Sequence, residues 1–173
     1  MNNQPLPPRK LLPWLTYVDF LTKKLYEKSG HTSLSVLSQG WGMASWWDRH
    51  VLGLDFGQVF HRDIVTSAWD ESCWYARTVI PLATYQADST LFDRLKTETL
   101  GALIFEGTKI KRVSLVHYPI NKQMIEFQWL TTTMYGDSDI LWVRSSAFTL
   151  ASGDLFYLIE ILLPGLETYL CQT

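Results

Sequence analysis

The stretch HRDIVTSAWDESCWYARTVIPL, residues 61–82, limits the fold more than any other part of the chain. Residues 61–68 and 73–80 are rich in β-branched and aromatic side chains, and Trp69-Asp70-Glu71-Ser72 lies between them, the pattern of a β-hairpin. With a four-residue turn, Arg62 falls opposite Val79 and Ile64 opposite Arg77. The two-residue period of a strand then puts Arg62, Ile64, Arg77 and Val79 on one face. Two guanidinium groups point the same way from strands that otherwise face an interior.

More strands follow: TSLSVLSQGW before the hairpin, then KRVSLVHY, MIEFQWLTTT, ILWVRSSAFTL and, after a Ser-Gly-Asp turn at 152–154, LFYLIEILL. Successive strands with short turns predict an antiparallel sheet. Trp14, Tyr17, Val18, Leu21 and Leu25 keep a three-to-four residue spacing, which predicts one amphipathic helix over 14–28, stopped near Ser29-Gly30. A second short helix over 89–96 leads into TLGALIF, where Gly101 permits close backbone approach. The expected class is α+β: a mostly antiparallel sheet with the helices covering one face. GWGMASWWDRHVLGLDFGQ is left open between a covering loop and a short helix. Residues 1–13, rich in Pro and polar groups, are read as an irregular arm of a single domain spanning 1–173.

Composition narrows the function. Charged residues make up 18% against a usual share of about 25%, while aromatics reach 14%, which points to a large apolar interior or a closed apolar pocket. A formal charge of -2 offers no broad basic surface, so nucleic acid is not an expected partner and an anion must be met by a local group of arginines. Lys109, Lys111 and Arg112 read as a solvated strand edge. The two cysteines make no disulfide framework, no run is long enough for a membrane span, and no secretory signal is evident, so a cytoplasmic protein is expected.

Glu160 fits its surroundings least. It stands in the middle of LFYLIEILLP, where a buried carboxylate must be paired or neutralised. Either it forms a structural ion pair with an arginine of a neighbouring strand, or it is a polar anchor, acid or base inside an apolar pocket. Both readings call for Arg62 or Arg77 nearby, and Arg144 on the preceding strand is a third candidate. Arginines hold carboxylates through two parallel hydrogen bonds, so the set suits a small, flat or cyclic carboxylated substrate. His31, His50, His61 and His117 show no metal-ligand spacing, and His61 points to the face opposite Arg62. Nucleophile-elbow and nucleotide-binding motifs are lacking. Trp46-Trp47 reads either as a lid over a pocket or as plain core.

These segments, taken in order, resemble the bacterial chorismate pyruvate-lyases. LTKKLYEKSG at 21–30 is similar to the family's first helix, SVLSQGW at 35–41 to its next strand, and RDIV with ARTVIPL at 62–65 and 76–82 to its central hairpin. LGALIF at 100–105, LWVR at 141–144 and SGDLFYLIEILLP at 152–164 complete the match. The resemblance implies a chorismate lyase-like fold with an internal ligand pocket and an enzyme that removes pyruvate from chorismate to leave 4-hydroxybenzoate, the aromatic precursor of ubiquinone. It implies that Arg62 holds a substrate carboxylate, that Glu160 contacts the hydroxyl side of the ring, that Leu100 offers main-chain groups to the carboxylate and that Leu21 lines the site. Arg77 matches an arginine of the second hairpin strand and is expected in the pocket. No metal or organic cofactor is called for, and a monomer is expected.

Two departures stand out: 106–139 is longer than its counterpart, as though a hairpin were extended, and CWYAR replaces a Pro, Trp and Gly pattern before Arg77. The same fold occurs in the effector-binding domains of certain transcription regulators. A non-catalytic sensor of small carboxylates is therefore the alternative, set against the expectation that no DNA-binding domain precedes residue 14.

Overall fold

The computed structural model describes residues 5–106 and 109–171. Six strands, β1 (Ser33–Met43), β2 (Gln58–Ala68), β3 (Glu71–Pro81), β4 (Lys111–Asn121), β5 (Ile140–Thr149) and β6 (Leu155–Leu162), form one sheet in the order β1-β2-β3-β6-β5-β4. Every neighbouring pair is antiparallel. The helical segments are α1 (Leu12–Leu15), α2 (Leu21–Ser29), α3 (Trp46–Val51), α4 (Leu82–Ala87), α5 (Ser89–Arg94), α6 (Leu100–Glu106), α7 (Ile125–Gln128), α8 (Thr132–Tyr135) and α9 (Pro164–Leu170).

Helices cover both faces of the sheet, not one. On the first face Trp74, Ala76, Phe148, Phe156 and Leu158 pack under residues of α1, α2, α5, α6 and α9 such as Trp14, Leu25, Phe92, Leu103 and Leu166. On the second, Val65, Tyr75, Val143, Ile159 and Ile161 pack under Trp47 of α3, Phe127 of α7 and Leu130. β6 and much of β3 are therefore buried on both sides, which is why LFYLIEILL is almost continuously apolar.

The hairpin between β2 and β3 is tighter than its sequence indicates. Ala68 pairs with Glu71, so the turn is Trp69-Asp70 alone, both residues at positive φ (53° and 60°). Such a turn normally carries Asn or Gly. Here the Trp69 ring stacks on Tyr169 with centroids 3.3 Å apart, a tertiary contact invisible in the hairpin's own sequence. A bulge past Thr66 then sets Arg62 opposite Thr78 and Asp63 opposite Arg77. One residue of slip sends every side chain of a strand to the other face, so Arg62 and Arg77 do not share a face.

Three further segments differ from expectation. The helix predicted over 14–28 is broken into α1 and α2, with Phe20 extended (φ -75°, ψ 132°). The break frees carbonyls for two arginines: Arg144 donates to Trp14 O at 2.8 Å and to Asp19 O at 3.4 Å, and Arg112 donates to Val18 O. Arg112 is accordingly no solvated edge residue; its guanidinium lies over Phe20 and Phe148. MIEFQWLTTT is not a strand but the two turns α7 and α8, with Phe127 and Leu130 buried at a three-residue spacing, so 106–139 holds β4 and a helical cover, not an extended hairpin. Leu11 is 1% exposed, which takes the end of the expected arm into the core; residues 1–4 lie outside the described residues. The open segment after β1 contains α3, begun by a capping box between Ser45 and Asp48.

α9 lies so close to β3 that a Cβ on Gly165 would meet the Ser72 carbonyl at 2.4 Å. Gly165→Ala is expected to cost about 1–3 kcal/mol, read as a lower urea midpoint with an unchanged slope.

Candidate functional site

On the first face, between the sheet and the α2–α6 layer, lies a narrow cavity. Its floor is Arg62, Ile64 and Thr66 of β2, Trp74, Ala76 and Thr78 of β3, and Leu158 and Glu160 of β6; Phe20, Leu21 and Thr22 close it from one side and Thr99, Leu100 and Gly101 from the other. Gly101 sits where a Cβ would touch the Phe20 ring at 3.4 Å, the close approach expected of it. Four of the five sequence-predicted site residues, Arg62, Glu160, Leu21 and Leu100, thus line one cavity.

Arg62 is 3% exposed. It has no hydrogen-bond or ion-pair partner among the described residues, and its Nε is wholly buried. Desolvation alone draws its pKa below the ordinary arginine value. A buried guanidinium without a counter-charge is rare and costly, and an arginine stays protonated regardless. Its forked donors are suited to a carboxylate or another planar anion inside the cavity.

Glu160 is 5% exposed, and Arg144, at 0%, lies directly across the strand pair. Glu160 Oε2 and Arg144 Nε are 2.8 Å apart. The N–H is not aimed squarely at the oxygen, so neither atom is satisfied as a hydrogen-bonding group. Burial pushes the Glu160 carboxyl above the usual carboxylate range, opposed by the charges of Arg144 and Arg112. The structural ion pair anticipated for Glu160 exists, but its partner is Arg144. Neither Arg62 nor Arg77 makes it.

Arg77 requires the plainest correction. It lies on the second face, where Nε and Nη2 donate to the two carboxylate oxygens of Asp63 at 2.8 and 2.7 Å. Its guanidinium sits 4.1 Å from the centroid of the Trp129 ring. Burial lowers its pKa, but the Asp63 bonds outweigh that and raise it. His61 shares this face, as expected, with Nε2 3.0 Å from Oδ2 of the fully buried Asp48. Burial would raise the Asp48 carboxyl; His61 and the Ser45 backbone N–H together hold it below its ordinary value. Trp47 packs edge-on against Trp129 as core of this second face, whereas Trp46 is exposed and stacked on His50, so neither is a lid over the cavity.

Sequence reasoning placed Ile64 on the face of Arg62 but missed Phe20, Thr22, Thr66, Trp74, Thr78 and Thr99 as lining residues. The same alternation of β2 would have found Thr66, the next same-face position after Ile64. The corresponding positions of β3 needed the true register.

These features can be set beside known proteins. The chorismate lyase family model matches residues 3–165. This chain belongs to the chorismate lyase family. It is 26% identical over 163 residues to the "Probable chorismate pyruvate-lyase" of Azoarcus sp. (strain BH72), a match covering 91% of this chain and 86% of that one. It is 29% identical over 166 residues to the protein of the same name from Pseudomonas savastanoi pv. phaseolicola (strain 1448A / Race 6), covering 93% and 83%. Among solved structures it is similar to a GntR-family transcriptional regulator from Bacillus cereus (TM-score 0.53, 15% identity, 77% of this chain and 92% of that one). It is also similar to PhnF from Mycobacterium smegmatis (TM-score 0.53, 13% identity, 81% and 62%). These last likenesses are of fold. Among the described residues no helix is long and apolar enough to cross a membrane.

The two arginines of the hairpin have opposite expected phenotypes. Arg77→Met leaves Asp63 without its partner and should cost about 2–3 kcal/mol of stability, while binding of an aromatic carboxylate, followed by calorimetry, stays within twofold. Arg62→Met removes an uncompensated buried charge, so its melting temperature should hold or rise while that binding is lost.

Proposed function

We propose that this protein is a chorismate pyruvate-lyase, converting chorismate to 4-hydroxybenzoate and pyruvate, a reaction that supplies the aromatic ring of ubiquinone. The observation that carries the reading is the unpartnered, buried Arg62 facing the same cavity as Glu160. A cavity with one cation ready for a carboxylate and one carboxylate ready for a hydroxyl suits a ring bearing both. The family membership supports the reaction class, and the relatives' names support the substrate.

In this reading Arg62 takes the ring carboxylate, with Leu100 beside it on the opposite wall, and Glu160 takes the ring hydroxyl, with Leu21 closing over the apolar ring. The bond between the ring and the enolpyruvyl ether oxygen breaks with its electron pair going to oxygen. The hydrogen on the hydroxyl-bearing carbon leaves as a proton, and the ring gains its third double bond. The enolpyruvate takes a proton on its methylene carbon and becomes pyruvate. Aromatisation supplies the driving force, so the protein's part is to orient the ring and exclude water. Glu160 orients the hydroxyl and, held by Arg144 on one side, keeps a fixed geometry while doing so. Arg77, locked to Asp63, takes no part.

Purified protein incubated with chorismate should release 4-hydroxybenzoate and pyruvate in equal amounts, and Arg62→Ala should abolish the release. Binding of 4-hydroxybenzoate without turnover would instead favour a sensor of the kind whose fold this chain shares. Glu160→Gln separates orientation from proton transfer: retention of most of kcat excludes an obligatory proton acceptor.

The pH profile gives a further check. With Glu160 needed as the carboxylate, kcat/KM falls as pH drops through its pKa. Burial has raised that pKa, so the acid limb should begin at higher pH than an ordinary glutamate gives. The same limb should vanish in Glu160→Gln if Glu160 is its source.

A further inference from the structure

The cavity holds a third buried polar group that the reading above does not use. Thr66 is 2% exposed, and its Oγ1 has no hydrogen-bond partner among the described residues. Thr22, Thr66, Thr78 and Thr99 all border the cavity. The Thr99 hydroxyl already accepts from the Ala102 N–H at 3.1 Å, and of the four only Thr66 has an Oγ1 both buried and without a partner. A hydroxyl in that condition costs free energy unless something in the cavity meets it.

Its position says what that something is. Arg62, Ile64 and Thr66 occupy successive same-face positions of β2, each pair about 6.7 Å apart along the strand. Ile64 is level with Ala76, and Ala76 with Glu160. Along the strand direction the polar groups therefore come in ranks: Arg62, then Glu160, then Thr66. A ring whose carboxylate is on Arg62 and whose hydroxyl is at Glu160 spans the first two ranks. The enolpyruvyl group, carried on the ring carbon beside the hydroxyl-bearing one, is the substituent long enough to reach past the hydroxyl to the third.

We propose that Thr66 is a substrate-selective binding residue, its hydroxyl donating a hydrogen bond to an oxygen of the enolpyruvyl group of chorismate. This rests on the lyase reading. It deepens that reading by dividing the cavity into a part shared by substrate and product, at Arg62 and Glu160, and a part that only the substrate fills. Loss of pyruvate then ends the Thr66 contact, and the product is held by the first two ranks alone.

The test uses two variants of the full chain. Thr66→Val keeps the shape and removes the hydroxyl; Thr66→Ser keeps the hydroxyl and removes the methyl. A packing defect follows the methyl, and a hydrogen-bonding defect follows the hydroxyl. Thr66→Val should lower kcat/KM for chorismate about tenfold, leave the Kd for 4-hydroxybenzoate unchanged, and hold or raise the melting temperature. Thr66→Ser should keep most of the wild-type kcat/KM. The proposal is overturned if Thr66→Val turns over chorismate as the wild type does, or if it weakens product binding by the same factor as substrate turnover. Failure of the wild-type protein to turn over chorismate would remove the lyase reading and this inference with it. Wild-type turnover with an indifferent Thr66→Val removes the inference alone.

Discussion

The ion pair between Arg144 and Glu160 is the contact on which the rest of the architecture turns. Both residues sit on central strands with almost no access to solvent, and two such charges can be buried only if other groups share the load. The sharing groups are backbone carbonyls of Trp14 and Asp19. Those carbonyls are free because α1 and α2 are not one helix. A buried arginine thus selects a broken helix, and the break sets Phe20, Leu21 and Thr22 over the sheet as one wall of the cavity. Seen this way, the charge in the middle of β6 is part of the fold as well as part of the site. Glu160 faces a ligand from a position that Arg144 has already fixed.

The two faces of the sheet resolve their buried charges differently. On the second face the ionisable side chains are paired within the protein: Arg77 with Asp63, His61 with Asp48, and Tyr118 with Glu126 at 3.1 Å. On the first, Arg144 and Glu160 offset each other, while Arg62 and the Thr66 hydroxyl have nothing. Uncompensated groups of this kind reduce stability, and Arg62 and Thr66 both border the cavity, although unsatisfied polar atoms also occur elsewhere, at Trp47, Asp48, Tyr75, Arg112 and Ser146. What sets Arg62 apart is that it is a buried guanidinium with no counter-charge among the described residues, at the wall of a cavity.

How much of this was legible in the sequence depended on which distance scale each feature used. The α+β class, the antiparallel sheet and the exceptional status of Glu160 followed from local alternation and from a charge within an apolar run. Arg62 stood out as a guanidinium on an interior strand, Leu21 and Leu100 came through resemblance, and the cavity brings all three beside Glu160. Arg77 failed for a definite reason. Its face depended on the one-residue bulge past Thr66, which no local pattern marks; the two-residue turn by itself keeps the parity of a four-residue one. The turn was hidden too: Trp69-Asp70 carries none of the Asn-Gly chemistry that announces a two-residue turn, and Trp69 instead stacks on Tyr169, 100 positions away in the chain. The break between α1 and α2 was equally hidden, because the three-to-four residue spacing runs straight across it. Only an arginine on a distant strand tells the carbonyls at that point to turn aside.

Two cations on one face would have offered a symmetric clamp for two carboxylates. With Arg77 turned away, the cavity has one free guanidinium at one end, a carboxylate in the middle and a hydroxyl at the other end. That arrangement has a direction. A ligand that satisfies all three presents an anion first, a hydrogen-bond donor next and an acceptor last, so the asymmetry left by the turned arginine runs along β2.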